Sequence, residues 1–149
     1  FILDDCDANS RPCSVVVTQP RRISAVSVAE RVAKERGEVI GETVGYHIRL
    51  EAKRSDKTRL LFCTVGILLR VLVGDARLAN LTHVVVDEVH ERDRLADFLL
   101  IVLRELLYSG KRSDFKVVLM SATADTARLL AYFRQSPLQP CCDQALLTS

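Results

Sequence analysis

Aromatic residues make up only 5% of these 149 residues, which argues against base stacking as the main way of holding a nucleic acid strand. Cysteine is present but unpatterned. Cys6, Cys13, Cys63, Cys141 and Cys142 show no C-x-x-C spacing and are odd in number, so neither a structural zinc site nor a disulfide framework is indicated and a reducing compartment is the simpler reading. No apolar run approaches the ~20 residues that span a bilayer. Asp4, Asp5 and Asp7 interrupt the start, where a secretory signal needs an apolar stretch. The phosphate-binding pattern G-x-x-x-x-G-K-S/T is also missing, because Gly110-Lys111 is followed by Arg112 and position 105 is Glu. A formal charge of +2 does not by itself indicate a polyanionic partner, which would need a local basic patch.

What is present is a composition of 48% hydrophobic and 27% charged residues, that of a globular protein with a real core and of one domain's length. The chain opens at Phe1, without Met, and Phe1-Ile2-Leu3 resembles the end of a helix, so a piece of a longer protein is expected.

Four short apolar runs, Ser14–Val17, Leu60–Phe62, His83–Val86 and Val117–Met120, each lead into polar or glycine-bearing residues and then into a helical pattern. Strands alternating with helices imply βαβ units and a parallel sheet. Thr43–Arg49 reads as an additional strand. Ile23–Arg36 carries Ala25, Val28, Ala29 and Val32 at helical spacing, with Gly37 as a stop. Ile67–Val73 reads as a shorter helix. Leu95–Leu107 is apolar nearly all round, with Leu95, Phe98, Leu99, Val102 and Leu106 on one stripe, and is expected to be mostly buried. From Ser136 onward the pattern stops. If the four strands are parallel, their polar followers gather along one sheet edge.

The richest stretch is His83-Val84-Val85-Val86-Asp87-Glu88-Val89-His90-Glu91-Arg92. Acidic residues also favour the first turn of a helix, where each stabilises by ~0.3–1 kcal/mol. An acidic pair just past a buried parallel strand, however, lies where ligands sit in open α/β sheets. One carboxylate can hold the water shell of Mg²⁺, and its neighbour can orient or deprotonate the water that attacks a γ-phosphate. A zinc protease requires His-Glu-x-x-His, and Arg94 after Asp93 excludes it. Ser121-Ala122-Thr123 alone is a weak signal, since Ser and Thr after a strand commonly cap the next helix. Beside the acidic strand, its hydroxyls can link His90 to movement elsewhere. In Thr18-Gln19-Pro20-Arg21-Arg22, Pro20 keeps Gln19 out of a helix, and the arginines sit near a helix N-terminus that attracts phosphate. A solvated basic turn is the plainer alternative. Thr64 and Gly66 occupy the corresponding place after the next strand, and two such sites on one edge suit a sugar–phosphate backbone.

Taken together, these residues resemble the DEAH-box RNA helicases of superfamily two, in the branch that includes RNA helicase A. Thr18–Ala25 is similar to motif Ia, Thr64–Arg70 to motif Ib, Asp87-Glu88-Val89-His90 to motif II and Ser121-Ala122-Thr123 to motif III. Val44–Arg49 resembles a glycine–tyrosine strand of that branch. The resemblance covers Phe1 to about Phe133, with the motifs in order. It implies a partial first RecA-like domain over 1–133, an α/β fold with a mostly parallel central sheet flanked by helices, and a divergent or disordered tail over 134–149. It further implies ATP and Mg²⁺ as cofactors, RNA as a partner held by its backbone, and the rest of the helicase, including a second RecA-like domain, as the missing remainder. By this analogy Asp87 organises the metal, Glu88 beside it activates water, and His90 couples the nucleotide to Ser121 and Thr123. Thr18, Arg21, Arg22, Thr64 and Gly66 line the RNA path. Val89 replaces the alanine of the family name, and the chain by itself is expected to be an incompetent ATPase. An intracellular location, cytoplasmic or nuclear, and no membrane partner are expected. A non-catalytic RNA-binding scaffold and a DNA helicase of the same superfamily share the chemistry of these residues and remain the alternatives at this point.

Overall fold

The computed structural model describes residues 1–110, 112–122 and 126–134. Its elements run α1 (Ile2–Ala8), β1 (Val15–Gln19), α2 (Arg22–Glu35), β2 (Val44–Ile48), β3 (Glu51–Lys53), β4 (Leu60–Thr64), α3 (Val65–Gly74), β5 (His83–Val86), α4 (Arg94–Tyr108), β6 (Lys116–Leu119) and α5 (Thr126–Arg134), with a short 3₁₀ turn over Val89–Glu91. The six strands form one sheet in the order β3-β2-β4-β1-β5-β6. Every pairing is parallel except β2 with β3. All four strands expected from the apolar runs form, with ends shifted by a residue or two, as does the additional strand near Thr43. This is the helix-flanked, mostly parallel sheet of a partial RecA-like domain.

Side chains alternate across the strands, as the period of two requires. Val84 and Val86 of β5 face one core with Val16, Cys63, Leu68, Leu99 and Leu103, where α3 and α4 cover the sheet. Val85 faces the other with Val17, Tyr46 and Phe62, where α1 and α2 lie. Each fully buried Val or Leu contributes roughly 1.5–3 kcal/mol, and the central strand β1 is buried along its whole length. On α2, Ala25, Ala29 and Ala33 turn a methyl stripe to the sheet, while Val28 and Val32 pack only at its margin. Gly37, at φ +71°, ends that helix. Its amide donates to Lys34 O and that of Glu38 to Ala33 O, the paired bonds of a Schellman cap.

Three sequence expectations need correction. Helix α4 does not bury the stripe expected of it: Ala96, Leu99, Leu100, Leu103 and Leu106 face the core, whereas Leu95 and Phe98 are about half exposed. The buried face keeps the i, i+3, i+4, i+7 spacing of an amphipathic helix from Ala96, one residue later than the expected stripe, and Asp93 caps the first turn by accepting the Leu95 amide at 2.7 Å. Phe1-Ile2-Leu3 does not end a helix, since α1 runs on to Ala8. Strand β3 was not foreseen, because Glu51-Ala52-Lys53 is fully exposed and carries no apolar pattern. Only pairing with Tyr46–Ile48 defines it. The Tyr46 hydroxyl donates to the Glu51 carboxylate, and that bond, with burial, pushes the phenol up to about 12.

Cys6, Cys13 and Cys63 are buried free thiols, and burial pushes Cys63 up to about 12. Cys141, Cys142 and the tail from residue 135 lie outside the described residues. Among the described residues, no helix is long and apolar enough to cross a membrane.

The β2–β3 hairpin depends on one close approach. A Cβ on Gly45 would stand 2.5 Å from the Lys53 carbonyl oxygen and 3.1 Å from the Thr58 methyl. Gly45→Ala is therefore expected to destabilise the domain by about 1–3 kcal/mol through overpacking, read by equilibrium urea unfolding. An unchanged midpoint would show that the hairpin is not held this close.

Candidate functional site

Because the paired strands are parallel, their carboxyl ends share one rim. The register sets Gln19 beside Thr64, Thr18 beside Val86, and Val86 beside Leu119. Along that rim the chain segments therefore follow one another as Arg49, Thr64, Gln19–Arg22, Asp87–Arg92 and Met120–Ala122. The amides that follow the strands extend the sheet pairing outward, Asp87 N donating to Thr18 O at 3.2 Å and Met120 N to Val86 O at 2.9 Å.

Asp87 is gripped at both oxygens. Gln19 Nε2 donates to Oδ2 at 2.6 Å and the Glu88 amide donates to Oδ1 at 2.8 Å. Each carboxylate oxygen keeps further acceptor capacity, so the side chain is oriented without being exhausted. Glu88 follows in the left-handed region, at φ +54°, and Arg92 closes the same turn at φ +51°. For non-glycine residues this costs roughly 1–2 kcal/mol each. Strain of this kind persists where surrounding contacts impose it, and it concentrates at functional sites. Here it lifts the Glu88 carboxylate, 39% exposed, off the strand and onto the rim.

His90 meets two partners through one nitrogen. Its Nδ1 lies 3.3 Å from Glu88 Oε2 and 3.4 Å from the Ala122 amide. A neutral ring with the proton on Nε2 accepts from Ala122; a ring protonated at Nδ1 donates to Glu88. The two contacts are alternatives. Val89 N also donates to Met120 O at 3.1 Å, so the β5 and β6 followers are bound together. Ser121 stands at this junction, half-buried. Thr123, expected to share its role, lies outside the described residues.

The basic turn is on the same rim but not unengaged. Arg21 pairs with Glu91 at 3.5 Å, and Arg22 donates to the Arg49 carbonyl at 3.1 Å. Thr64 leads into α3 without a side-chain cap bond. Gly66 is exposed, with no protein atom within 4 Å of where a Cβ would sit. Thr18 departs from expectation. It is completely buried, and its hydroxyl lies 3.5 Å from the Val85 carbonyl, so its side chain is not available to a phosphate.

Two residues escaped sequence reasoning. Gln19 was considered only as extended backbone before Pro20, although a polar residue closing an apolar strand was the available signal. Glu91 was seen as part of the acidic motif and not as a partner for Arg21. Two cavities, of about 210 Å³ and 200 Å³, lie away from the acidic pair; residues lining both include Val16, Leu61, Arg54 and Asn80. Among the described residues no cluster of three or more His, Cys, Asp or Glu side chains is placed to cage a metal. The acidic pair on the rim is Asp87 and Glu88, and one or two carboxylates is the number that Mg²⁺ takes from a protein when it keeps several waters and substrate phosphates.

A family model described as DEAD/DEAH box helicase matches residues 1–130. The chain is 58% identical to the DExH-box ATP-dependent RNA helicase DExH3 of Arabidopsis thaliana over 130 residues, covering 87% of this chain and 11% of that protein. It is 55% identical to DExH1 of the same plant, covering 92% of this chain and 14% of the relative. To the ATP-dependent RNA helicase DHX29 of Mus musculus it is 51% identical, covering 93% and 10%. The chain thus spans between a tenth and a seventh of the length of these curated relatives.

The strained turn makes a distinguishing prediction for unfolding experiments. Glu88→Gly is expected to leave stability unchanged or raise it by up to about 1 kcal/mol, since glycine adopts positive φ freely. Asp87→Gly deletes two hydrogen bonds to a charged group and is expected to lose about 1.5–3 kcal/mol. Equal losses from the two substitutions would mean that Glu88 is not held in a strained conformation.

Proposed function

The chain belongs to the DEAD/DEAH box helicase family, and from that membership we propose that it supplies most of the first motor domain of an ATP-dependent RNA helicase. The observation that carries this reading is the bonded contact between the acidic turn after β5 and the end of β1, the strand that leads into Arg21 and Arg22. A nucleotide–metal site and a backbone-binding turn then stand side by side on one rim.

In this reading Asp87 holds the water shell of Mg²⁺, with its plane fixed by Gln19 and the Glu88 amide. The metal supplies neutralisation of the charge that develops on the phosphates during transfer. Glu88 orients the attacking water and accepts its proton, a task suited to a carboxylate lifted to the rim and still reachable by solvent. His90 reports on that carboxylate, since its Nδ1 serves either Glu88 or the Ala122 amide that follows β6. Ser121 and Thr123 carry that response onward. Arg21, Arg22, Thr64 and Gly66 bind the sugar–phosphate backbone, which positions a strand without reading its sequence. RNA as the substrate rests on the names of the relatives; the chemistry of the rim suits any such backbone. No phosphate-cradling motif occurs among these residues, so hydrolysis requires the rest of the protein.

Two outcomes test the proposal in the full-length protein. Glu88→Gln should keep nucleotide and RNA binding while reducing phosphate release by at least about 100-fold, the scale of lost general-base catalysis. Turnover near the original rate would remove Glu88 from the role of water activation. The Arg21–Glu91 ion pair is exposed and worth only about 0.2–1 kcal/mol, so an RNA phosphate can displace Glu91. Glu91→Gln should accordingly tighten RNA binding by about 1.4- to 5-fold at low salt, while Arg21→Ala should lower the salt slope by about 1. A slope unmoved by Arg21→Ala would take that side chain off the RNA path.

A further inference from the structure

We propose that Gln19 is a positioning residue for the metal-binding carboxylate, holding Asp87 in the one orientation that accepts a hydrated divalent cation. The inference rests on the nucleotide–metal reading of the acidic pair and adds to it a residue from a different strand.

Gln19 is 4% exposed at the end of a strand whose other members are three valines and a buried threonine. A buried primary amide is costly unless it is hydrogen-bonded, and any apolar residue of similar length would fill the space. Its Nε2 donates to Asp87 Oδ2 at 2.6 Å. The second oxygen, Oδ1, is already taken by the Glu88 amide. Two donors, one on each oxygen, fix the plane of the carboxylate, and each oxygen keeps a further lone pair.

The identity of the donor matters as much as its place. An arginine or lysine here would form an ion pair with Asp87 and compete with the cation for the same charge. A neutral amide orients the carboxylate and leaves its charge available to the metal. Outer groups that orient a metal-binding side chain in this way are typically worth about 10- to 100-fold in metal affinity. Because Gln19 precedes Pro20-Arg21-Arg22 directly, the bond also ties the metal-binding side chain to the backbone-binding turn.

The test uses the full-length protein with ADP, and Mn²⁺ as a paramagnetic stand-in for Mg²⁺, its binding read by electron paramagnetic resonance. Gln19→Met keeps the length and removes the amide. It is expected to weaken Mn²⁺ binding to the ADP complex about 10- to 100-fold, with metal-free ADP affinity unchanged and only the modest fall in thermal midpoint that loss of the bond to Asp87 entails. Gln19→Asn, whose amide is one methylene too short to reach Asp87, is expected to weaken binding in the same sense and substitutes for the methionine variant should that fail to fold. A general packing defect would depress metal-free ADP affinity along with metal affinity, and that pattern overturns the positioning role. So does Mn²⁺ affinity within twofold of wild type in a folded variant. Failure of the wild-type protein to bind Mn²⁺ in an ADP-dependent way would overturn the underlying site reading instead.

Discussion

Parallel pairing of β2, β4, β1, β5 and β6 obliges each of these strands to finish on the same rim of the sheet. Residues as distant in sequence as Gln19, Thr64, Asp87 and Ala122 become neighbours through that constraint, with no long loop required to bring them together. The hydrophobic faces on either side of the sheet maintain it: valines 84 and 86 anchor β5 against α3 and α4, and Val85 anchors it against the opposite layer. A one-residue slip of β5 would exchange those faces and carry Asp87 off its register with β1. Core packing and the geometry of the acidic pair are consequences of the same pairing.

On that fixed rim the chain places strained and shared contacts. Glu88 and Arg92 adopt left-handed backbone conformations on either side of a single 3₁₀ turn. His90 offers one nitrogen to two partners, Glu88 in the turn after β5 and Ala122 after β6, so whichever contact it makes, the other is released. Arg21 is paired with an acidic residue of the neighbouring turn by a weak, exposed contact. The exposed Arg21–Glu91 pair is worth at most about 1 kcal/mol, whereas the sheet beneath is held by two buried apolar layers. Such a division, a rigid sheet carrying a rim of exchangeable contacts, suits a protein that couples what happens at one strand end to its neighbour.

Much of this was legible in the sequence because the strands announce themselves. Three valines running into Asp87-Glu88 mark a buried strand with a functional end, and a parallel sheet follows once four such runs alternate with helical patterns. What was not legible depended on partners distant in the chain. The exposed triplet Glu51-Ala52-Lys53 becomes a strand only because Tyr46–Ile48 lie beside it. Two adjacent apolar stripes compete on α4, and only packing against the sheet shows that the one through Ala96, Leu99, Leu103 and Leu106 is buried. Thr18 looked like a phosphate ligand beside two arginines, but strand alternation and pairing on both sides bury it. Gln19 lies within the Thr18–Ala25 motif, but its bond to Asp87 emerges only when β1 and β5 are adjacent.

A divalent cation held at Asp87 would lie next to the end of β1 and within reach of the segment after β6, which bonds to the same turn. Iron-directed backbone cleavage addresses this most directly. Fe²⁺ is loaded with ADP onto the full-length protein, ascorbate and peroxide generate hydroxyl radicals at the metal, and the fragments are mapped. The account predicts nucleotide-dependent cuts clustered around Gln19–Pro20, Asp87–His90 and Met120–Ala122. Cuts centred on Ser14 and Thr82 at the opposite rim, or on the β2–β3 hairpin, would contradict it.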